Sequence, residues 1–187
     1  MNDTLKCIIN RYSCRKFGDT QVNMQDLLSI AKAGLASPSG MNRQNWQIIM
    51  VTNQEIIKEL DEEGLKVLSE FPDKSLYDRI LKRGGKLFYG APALIIIAIK
   101  ETFPKGAELI DLGIVAQTIS LAATSLGVDN CHCGFLAFCF AGSRGNEFKE
   151  KLEFPDGYEC GMGVLLGYSA ERNMPHKPNI DKLTIID

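Results

Sequence analysis

The sequence ALIIIAI at positions 93–99 decides the fold, because it is apolar at every position. A strand that is apolar on both sides has to be covered on both sides, so this segment predicts an interior strand with helices on either face of its sheet. Three other β-prone or apolar segments, Trp46–Val51, residues 131–140 and residues 160–168, are expected in the same sheet, the last loosened by Gly161 and Gly163.

Helix-forming segments surround these strands, with apolar residues spaced three and four positions apart. Helix starts are predicted at Asp3 or Thr4, after Asn23, at Gln54, after Phe71-Pro72-Asp73, at Asp111 and at Ser143. The first forty residues lack a regular alternation of strand and helix, which argues against a doubly wound nucleotide-binding fold and leaves α+β or α/β open. A final β-prone segment, 183–186, would have to reach away from its own core.

Length and composition indicate the class of protein. The chain has 187 residues, of which 45% are hydrophobic and 24% charged, and this predicts one globular domain over residues 1–187. A formal net charge of −2 is too balanced to attract nucleic acid across the whole surface. The longest apolar run, 91–99, is about half of a bilayer span, and Asp3 stands where a signal peptide would be basic. We therefore expect a soluble, cytoplasmic protein with neither a nucleic-acid nor a membrane partner.

The six cysteines are predicted to be free thiols, because their spacing is not the dense framework of a small secreted protein. Cys131, His132, Cys133 and Cys139 could be offered as a zinc site, but the C-x-C spacing is wrong for one and no second pair follows. No metal is therefore predicted. A thiol-based redox or metal protein that uses Cys131, Cys133 and Cys139 stays open as an alternative.

Two motifs carry most of the functional information. RYSCRKF at 11–17 places three cations and a serine hydroxyl just past a helix, which by itself describes either a solvated basic turn or a phosphate-binding cluster. PSGMNRQNW at 38–46 follows a helix stop. These segments resemble the R-R-S-x-R-x-F and P-S-x-x-N-x-Q-P-W motifs of the FMN-dependent nitroreductase family. Further similar segments are GAP at 90–92, DLG at 111–113, LG at 126–127, Gly134 and LGY at 166–168.

The resemblance covers nearly the whole chain and implies an α+β fold, with a mostly antiparallel or mixed sheet flanked by helices on both faces. It also implies a homodimer with FMN at the subunit interface and an exchanged C-terminal strand, which would account for segment 183–186. The implied activity is that of an NAD(P)H-dependent FMN oxidoreductase. NAD(P)H reduces the flavin and leaves, and an electron-poor small molecule of the nitroaromatic or quinone type takes its place in a ping-pong reaction.

The resemblance also assigns site residues. Arg11, Ser13 and Lys177 are similar to the ligands of the FMN phosphate, and Arg15 would lie by the pyrimidine edge, where a cation stabilises reduced flavin. The implied catalytic groups are the backbone N–H groups of Cys133 and Gly134, which would point at flavin N5 and O4, so no side-chain acid or base is required. The remaining implied cofactor-binding residues are Tyr12 and, from the partner subunit, Pro38, Ser39, Met41, Asn42 and Gln44.

Four positions depart from the family pattern. Tyr12 replaces a second basic residue, Lys177 replaces an arginine, Asn45 replaces a proline, and Cys133 lies at a variable position. Lysine lacks the guanidinium fork, so weaker FMN binding is expected, and Cys133 beside N5 could act as a redox thiol. These departures keep a second hypothesis open, namely a flavin-binding protein of the same fold without reductase activity. The acceptor pocket is expected at residues 65–83 and 135–140.

Overall fold

The computed structural model describes residues 1–186. The predicted domain boundary at 187 includes Asp187, which lies outside the described residues. Within the described part of the chain, four strands form one antiparallel sheet in the order β1-β2-β4-β3. The strands are Trp46–Val51 (β1), Ala93–Ile99 (β2), Asp129–Cys133 (β3) and Glu159–Gly167 (β4).

Helices cover both faces of this sheet. Their bounds are Asp3–Asn10 (α1), Met24–Leu35 (α2), Gln54–Glu70 (α3), Ser75–Lys82 (α4), Ala107–Ser125 (α5), Leu136–Ala141 (α6) and Gly145–Lys151 (α7). Short 3-10 turns span Gly40–Asn42 and Ile180–Lys182. The predicted α+β class, with a sheet flanked on both faces, is confirmed.

The central strand β2 explains the two-sided core, because successive side chains in a strand point to opposite faces. Ile95 and Ile97 pack in the cluster that contains residues of α2 and α5. Leu94 and Ile96 pack in the opposite cluster, with residues of α3 and α6. Every residue of β2 is buried, as the apolar sequence predicts.

Asparagine caps place the first three helices. The side chains of Asn2, Asn23 and Asn53 each accept a hydrogen bond from a backbone N–H in the first turn of the helix that follows. Such caps satisfy donors that have no partner inside the helix, so the chain begins its helix at the next residue. The predicted starts of α1, α2 and α3 are confirmed.

Three helix starts were predicted wrongly, and the segment 131–140, expected as one strand, is divided by the turn at Gly134 and Phe135 into the end of β3 and helix α6. Helix α7 begins at Gly145, not at Ser143. Helix α5 begins at Ala107, not at Asp111, because the carboxylate of Glu108 accepts hydrogen bonds from the N–H groups of Gly106 and Thr102 and organises an extra first turn. Helix α4 begins at Ser75, later than the start predicted at Phe71-Pro72-Asp73. The Ser75 N–H donates to the carboxylate of Asp73, which therefore lies before the helix.

Gly161 introduces a bulge into β4. The pairing register shifts between Ile97 and Ala98 of β2, and Gly161 is the unpaired residue of the resulting bulge. A Cβ at Gly161 would lie 2.9 Å from the carbonyl oxygen of Ile97, so only glycine allows this approach. The predicted loosening at Gly161 is confirmed.

The predicted C-terminal strand is not formed within the described residues of one protomer. Residues 183–186 follow the Ile180–Lys182 turn without strand pairing, and Leu183, Ile185 and Ile186 are exposed. A β-prone segment needs a partner strand, and this one finds none in its own chain.

Helix α5 is long and apolar enough to cross a membrane by length and composition, and it is the one such helix in the part of the chain that the structure describes. Its residues Leu112, Val115, Ile119 and Ala123 are buried against the sheet and α2. We therefore assign α5 to the protein core.

Candidate active site

The turn after β3 presents an unpartnered backbone donor. Strand β3 lies at one edge of the sheet and ends at Cys133, and the chain then turns through Gly134 and Phe135 into α6. Gly134 is exposed, and a Cβ built there would meet nothing within 4 Å. Among residues 1–186 there is no acceptor for the Gly134 N–H. Open space and a free donor together make this turn a place where a ligand can bind.

The turn forms part of the wall of a cleft of about 430 Å³. The lining is aromatic, apolar and basic, and none of the residues that the structure describes there is acidic. The lining residues are Ser13, Arg15, Leu76, Tyr89, Cys131, His132, Cys133, Gly134, Phe135 and Phe138. A concave site with aromatic walls, one cationic lining residue, Arg15, and no acidic lining residue among those described suits a planar, anionic ligand.

Positive charge from three arginines reaches this cleft. Burial raises the pKa of the Cys131 thiol, while the charges of Arg15, Arg11 and Arg83 and a hydrogen bond from Ser13 lower the same pKa. Arg11 and Arg15 belong to the N-terminal motif and Arg83 follows α4, so positive charge reaches Cys131 from two separate segments. The site therefore has the positive field that phosphate or a reduced flavin requires.

Arg83 lies at the rim of the cleft, just past α4. Its Nη1 donates a hydrogen bond of 2.7 Å to the hydroxyl of Tyr89. Its guanidinium carbon lies 4.3 Å from the centroid of the Tyr89 ring and 5.4 Å from that of Phe135. Tyr89 has a left-handed backbone, with φ of 55°, and Gly90 follows with φ of 77°, a turn that presents the Tyr89 ring to the arginine.

A neighbouring cavity of about 400 Å³ contains the first residues of the N-terminal motif, Arg11 and Tyr12. The ring of Tyr12 is 6% exposed, and the guanidinium carbon of Arg172 lies 5.6 Å from its centroid. Tyr12 therefore fills space where the family often has a cation. The other lining residues are Lys6, Cys7, Asn10, Thr124, Gly127, Val128, Asp129, Asn130 and Ser169.

The Cys133 thiol belongs to the core. The residue is 2% exposed and packs in the cluster that includes Leu136 and Cys139. Burial raises its pKa to about 12, although the N–H groups of Leu136 and Phe135 hydrogen-bond the sulfur. A buried thiol of this kind is protonated at neutral pH and unreactive. The cysteines are free, as predicted, but the possibility that Cys133 is a redox thiol is not supported.

His132 is held by α5 on the face of β3 opposite to Cys131 and Cys133. Its Nε2 lies 3.1 Å from the carbonyl oxygen of Ala116 and 2.7 Å from Ser120 Oγ. A carbonyl can only accept, so Nε2 carries the hydrogen. Burial lowers the pKa of His132, and the hydrogen bond to Ala116 opposes that shift. The imidazole therefore has a structural role beneath the site.

The loop at 38–44 is strained and solvent-facing. Met41, Asn42 and Gln44 have left-handed backbones, with φ of 55°, 55° and 49°. Conformations of this kind persist in non-glycine residues only where neighbours hold them. Here the carboxylate of Asp111 accepts the Gly40 N–H at 3.0 Å, and Ser39 Oγ accepts the Gln44 N–H at 2.9 Å.

This loop is far from the cleft of its own protomer. It precedes β1, while Gly134 follows β3, and these are the two opposite edge strands. Three strand spacings separate the edges by about 14 Å. The loop instead contributes Pro38, Ser39 and Gly40 to a separate cavity of about 250 Å³ beside α5.

The C-terminal tail passes the cleft. The N–H of Ala170 bonds the carbonyl of Lys16 at 3.0 Å, and Asn173 Nδ2 donates to the carbonyl of Ser13 at 3.3 Å. Lys177 follows four residues later and is exposed. It lines neither of the two cavities, so the predicted meeting of Lys177 with Arg11 and Ser13 is not observed within the described protomer.

Comparisons with known proteins agree with this arrangement. Residues 8–168 match the profile of the Nitroreductase family. The chain belongs to the nitroreductase family. It is similar to a nitroreductase with bound FMN from Desulfitobacterium hafniense, with a TM-score of 0.96, 47% identity and 100% coverage of both chains.

Curated relatives of this nitroreductase are more distant. An NADPH-flavin oxidoreductase of Vibrio harveyi is 28% identical over 193 residues, which cover 100% of this chain and 73% of that protein. An FMN reductase (NADPH) of Bacillus subtilis is 26% identical over 192 residues, which cover 99% of this chain and 73% of that protein.

The fold brings some of the predicted site residues together. Ser13, Arg15, Cys133 and Gly134 share the cleft, and Arg11 and Tyr12 lie in the neighbouring cavity. Pro38, Ser39, Met41, Asn42, Gln44 and Lys177 lie outside both cavities of the protomer.

Sequence reasoning missed Tyr89, although its signal was present. Leu76, Phe135 and Phe138 fall within the segments expected for the acceptor pocket, whereas Tyr89 stands just before the GAP motif at 90–92. An aromatic residue next to a turn glycine is a candidate wall for a cleft.

Asn45, which replaces the family's proline, has a local function in this nitroreductase. Its Nδ2 donates to the carbonyl of Lys100 at 3.0 Å, and its own carbonyl accepts the Lys100 N–H at 3.0 Å. The side chain thus ties the strained loop to the end of β2.

Proposed function

We propose that this nitroreductase is an FMN-dependent oxidoreductase that transfers electrons from NAD(P)H to a small, electron-poor acceptor. The observation that carries the proposal is the free N–H of Gly134, a residue that lines an aromatic cleft with the cation Arg15 and no acidic lining residue among those described. A solved relative at 47% identity has bound FMN, and curated relatives are named for FMN reduction and NADPH-flavin oxidoreduction.

FMN fits these residues by chemistry. Arg15 offers a cation for the anionic pyrimidine edge, and Ser13 and Arg11 offer a hydroxyl and a guanidinium for phosphate. Lys177 would complete the phosphate site if the tail beyond Asn173 folds toward Ser13. When bound, FMN supplies the two-electron chemistry that links NAD(P)H oxidation to acceptor reduction.

The protein's own contribution is a fixed donor and an open face. The Gly134 N–H does not change its protonation state near neutral pH, so it would donate a hydrogen bond to the bound flavin in both redox states. The absence of a side chain at Gly134 leaves room for a second planar molecule to stack. No side-chain acid or base is required, which agrees with a lining in which the buried Cys133 thiol stays protonated.

The overall reaction balances without a further reactant. For a nitroaromatic acceptor it is ArNO₂ + NAD(P)H + H⁺ → ArNO + NAD(P)⁺ + H₂O. For a quinone it is Q + NAD(P)H + H⁺ → QH₂ + NAD(P)⁺. In both cases the donor loses two electrons and the acceptor gains them.

The proposed assembly is a homodimer in which the loop at 38–44 completes the partner's site. The apolar stripe of α1, formed by Leu5, Ile8 and Ile9, is exposed in the protomer, as are Ile180 and Ile185 of the tail. Exposed apolar patches of this kind mark contact surfaces. Exchange between subunits would account for two features. The loop lies far from the cleft of its own protomer, and the tail segment has no partner strand in its own chain.

We further propose that residues 1–187 act as one FMN-binding domain and that the protein is cytoplasmic. Free cysteines and a requirement for NAD(P)H both favour a reducing compartment.

The proposal is tested by the visible spectrum of the purified protein. We expect a yellow protein that binds FMN and that NADH or NADPH bleaches under anaerobic conditions. Re-oxidation by a nitroaromatic or quinone should restore the colour. A colourless protein that ignores added FMN would overturn the assignment, and FMN binding without nucleotide oxidation would favour the non-catalytic flavin-binding alternative.

The shared site is tested by mixing two defective chains. R11A and N42A homodimers should each bind FMN weakly. A tagged heterodimer of the two variants has one site with both defects and one intact site, so it should regain about half of the wild-type activity. If Arg11 and Asn42 served the same chain's site, each site would keep one defect and no activity would return.

A further inference from the structure

We propose that Arg83 makes this enzyme select acceptors that carry an anionic group, such as a carboxylate, on the ring that is reduced. The proposal rests on the proposed function of the cleft and names the substrate class for it. It concerns acceptor binding, and each turnover remains the two-electron exchange written above.

The guanidinium of Arg83 is pre-organised at the rim. Its Nη1 bonds the Tyr89 hydroxyl at 2.7 Å, and its carbon lies 4.3 Å and 5.4 Å from the ring centroids of Tyr89 and Phe135. Both aromatic residues line the cleft. An arginine stacked and bonded in this way loses little further freedom when it binds a ligand.

The charge of Arg83 is not neutralised by the protein. No Asp or Glu of residues 1–186 forms an ion pair with it, and its side-chain hydrogen bond goes to a neutral phenol. The remaining N–H donors form a planar fork that matches the two oxygens of a carboxylate. Since the described residues of the cleft include no acid, an anionic ring substituent would meet no repulsion there.

The position of Arg83 favours the acceptor over the phosphate of NADPH as the source of the anion. Phe135, which Arg83 contacts, is the residue directly after Gly134. The 2′-phosphate of NADPH lies at the far end of the molecule from the nicotinamide ring that reacts. A cation that contacts the ring of Phe135 is therefore placed to meet a substituent on the reacting ring itself, and the ring of reduced nicotinamide carries only a neutral amide.

The test compares 4-nitrobenzoate with 4-nitrobenzamide, which has similar size and no charge. The ratio of their kcat/KM values should fall about tenfold in R83Q, and R83K should lose part of that ratio because it keeps the charge without the fork. K82Q is the matched control, since Lys82 is an exposed cation one position away, whereas the contacts with Tyr89 and Phe135 are made by Arg83. Its ratio should equal that of the wild type.

Equilibrium binding gives a readout without turnover. Calorimetry of benzoate with the FMN-loaded protein should show about tenfold weaker binding in R83Q, and benzamide should bind both proteins alike. If R83Q changes kcat/KM for both acceptors by the same factor, the inference is wrong. It is also wrong if R83Q alters only the discrimination between NADPH and NADH. Arginine-dependent benzoate binding in a protein that cannot oxidise NAD(P)H would support the anion site while overturning the proposed function.

Discussion

The two ends of the short helix α6 use glycine for opposite purposes. Before the helix, a Cβ at Gly134 would point into open space. After it, a Cβ at Gly142 would lie 2.6 Å from Val67 Cγ2, and one at Gly145 would press against the carbonyl oxygen of Phe140. One end is glycine so that something else can approach, and the other is glycine because the chain has already filled the space.

This difference separates a proposed ligand contact at Gly134 from tight packing at Gly145, eleven positions along the chain. Backbone crowding at the closed end should make substitutions costly to folding, whereas substitutions at the open end should cost only ligand binding. G145A and G134A test that division directly, and two further experiments test the structural roles of Cys133 and His132, which precede the open end.

The largest effect is expected for G145A. The added methyl meets a backbone carbonyl that cannot rotate away, so we expect a loss of about 3 kcal/mol in the free energy of unfolding and a fall in Tm of roughly 6–12 °C. The measurement is thermal and urea denaturation monitored by circular dichroism. FMN content per folded molecule should stay unchanged, and an unaltered Tm would mean that the corner is looser than described.

G134A should show the reverse pattern. The open space and ordinary backbone at Gly134 predict a free energy of unfolding that is unchanged or raised by up to about 1 kcal/mol. The methyl would displace a ring held at this N–H, so kcat/KM with NAD(P)H should fall roughly 10- to 100-fold. Wild-type turnover in G134A would place the ligand elsewhere.

A smaller effect is expected for changes to the Cys133 side chain, which precedes the turn at Gly134. Because the Cys133 thiol is buried and its pKa is raised to about 12, alkylation by iodoacetamide at pH 8 should spare it until the protein is denatured. C133A should keep turnover within about twofold, because its backbone N–H is retained. Mass spectrometry of the labelled peptides decides the matter, and rapid native labelling of Cys133 would revive the thiol hypothesis.

The smallest effect concerns pH and His132. Burial holds the pKa of His132 below its ordinary value of 6.5. Between the folded pKa and 6.5, the imidazole is therefore protonated in the unfolded chain and neutral in the folded chain. The free energy of unfolding should therefore decrease as the pH falls through 6.5, and the decrease should end below the folded pKa. H132Q should flatten this dependence in urea titrations. The exposed His176 supplies the control, and an equal flattening in H176Q would contradict the assignment.

Local signals explain why much of the fold was predictable. The bounds of β1 and β2 match the predicted ones, because each strand is a compact β-prone run whose neighbours end it. The caps Asn23 and Asn53 act within three residues of themselves. The start of α5 was missed because Glu108 organises it through Thr102, a contact that no periodicity reveals.

Long-range effects explain what was not predictable. Left-handed backbones at Met41 and Gln44 run against the preferences of those residues, and Asp111, far along the chain, holds the loop through Gly40. The basic motif at 11–17 was recognised by its resemblance to the family. The assignment of Arg83 and Tyr89 to the rim depends instead on a contact in space between the end of α4 and the turn at residue 89.

The Gly134 donor belongs to the main chain, and this has an evolutionary consequence. No point substitution of a side chain can delete that N–H, except a change to proline. Under the proposed function, substitutions at neighbouring wall residues such as Leu76, Phe135 and Phe138 therefore leave the donor itself in place. Acceptor preference can then change by single substitutions in the cleft wall, and each variant along the way keeps the main-chain donor.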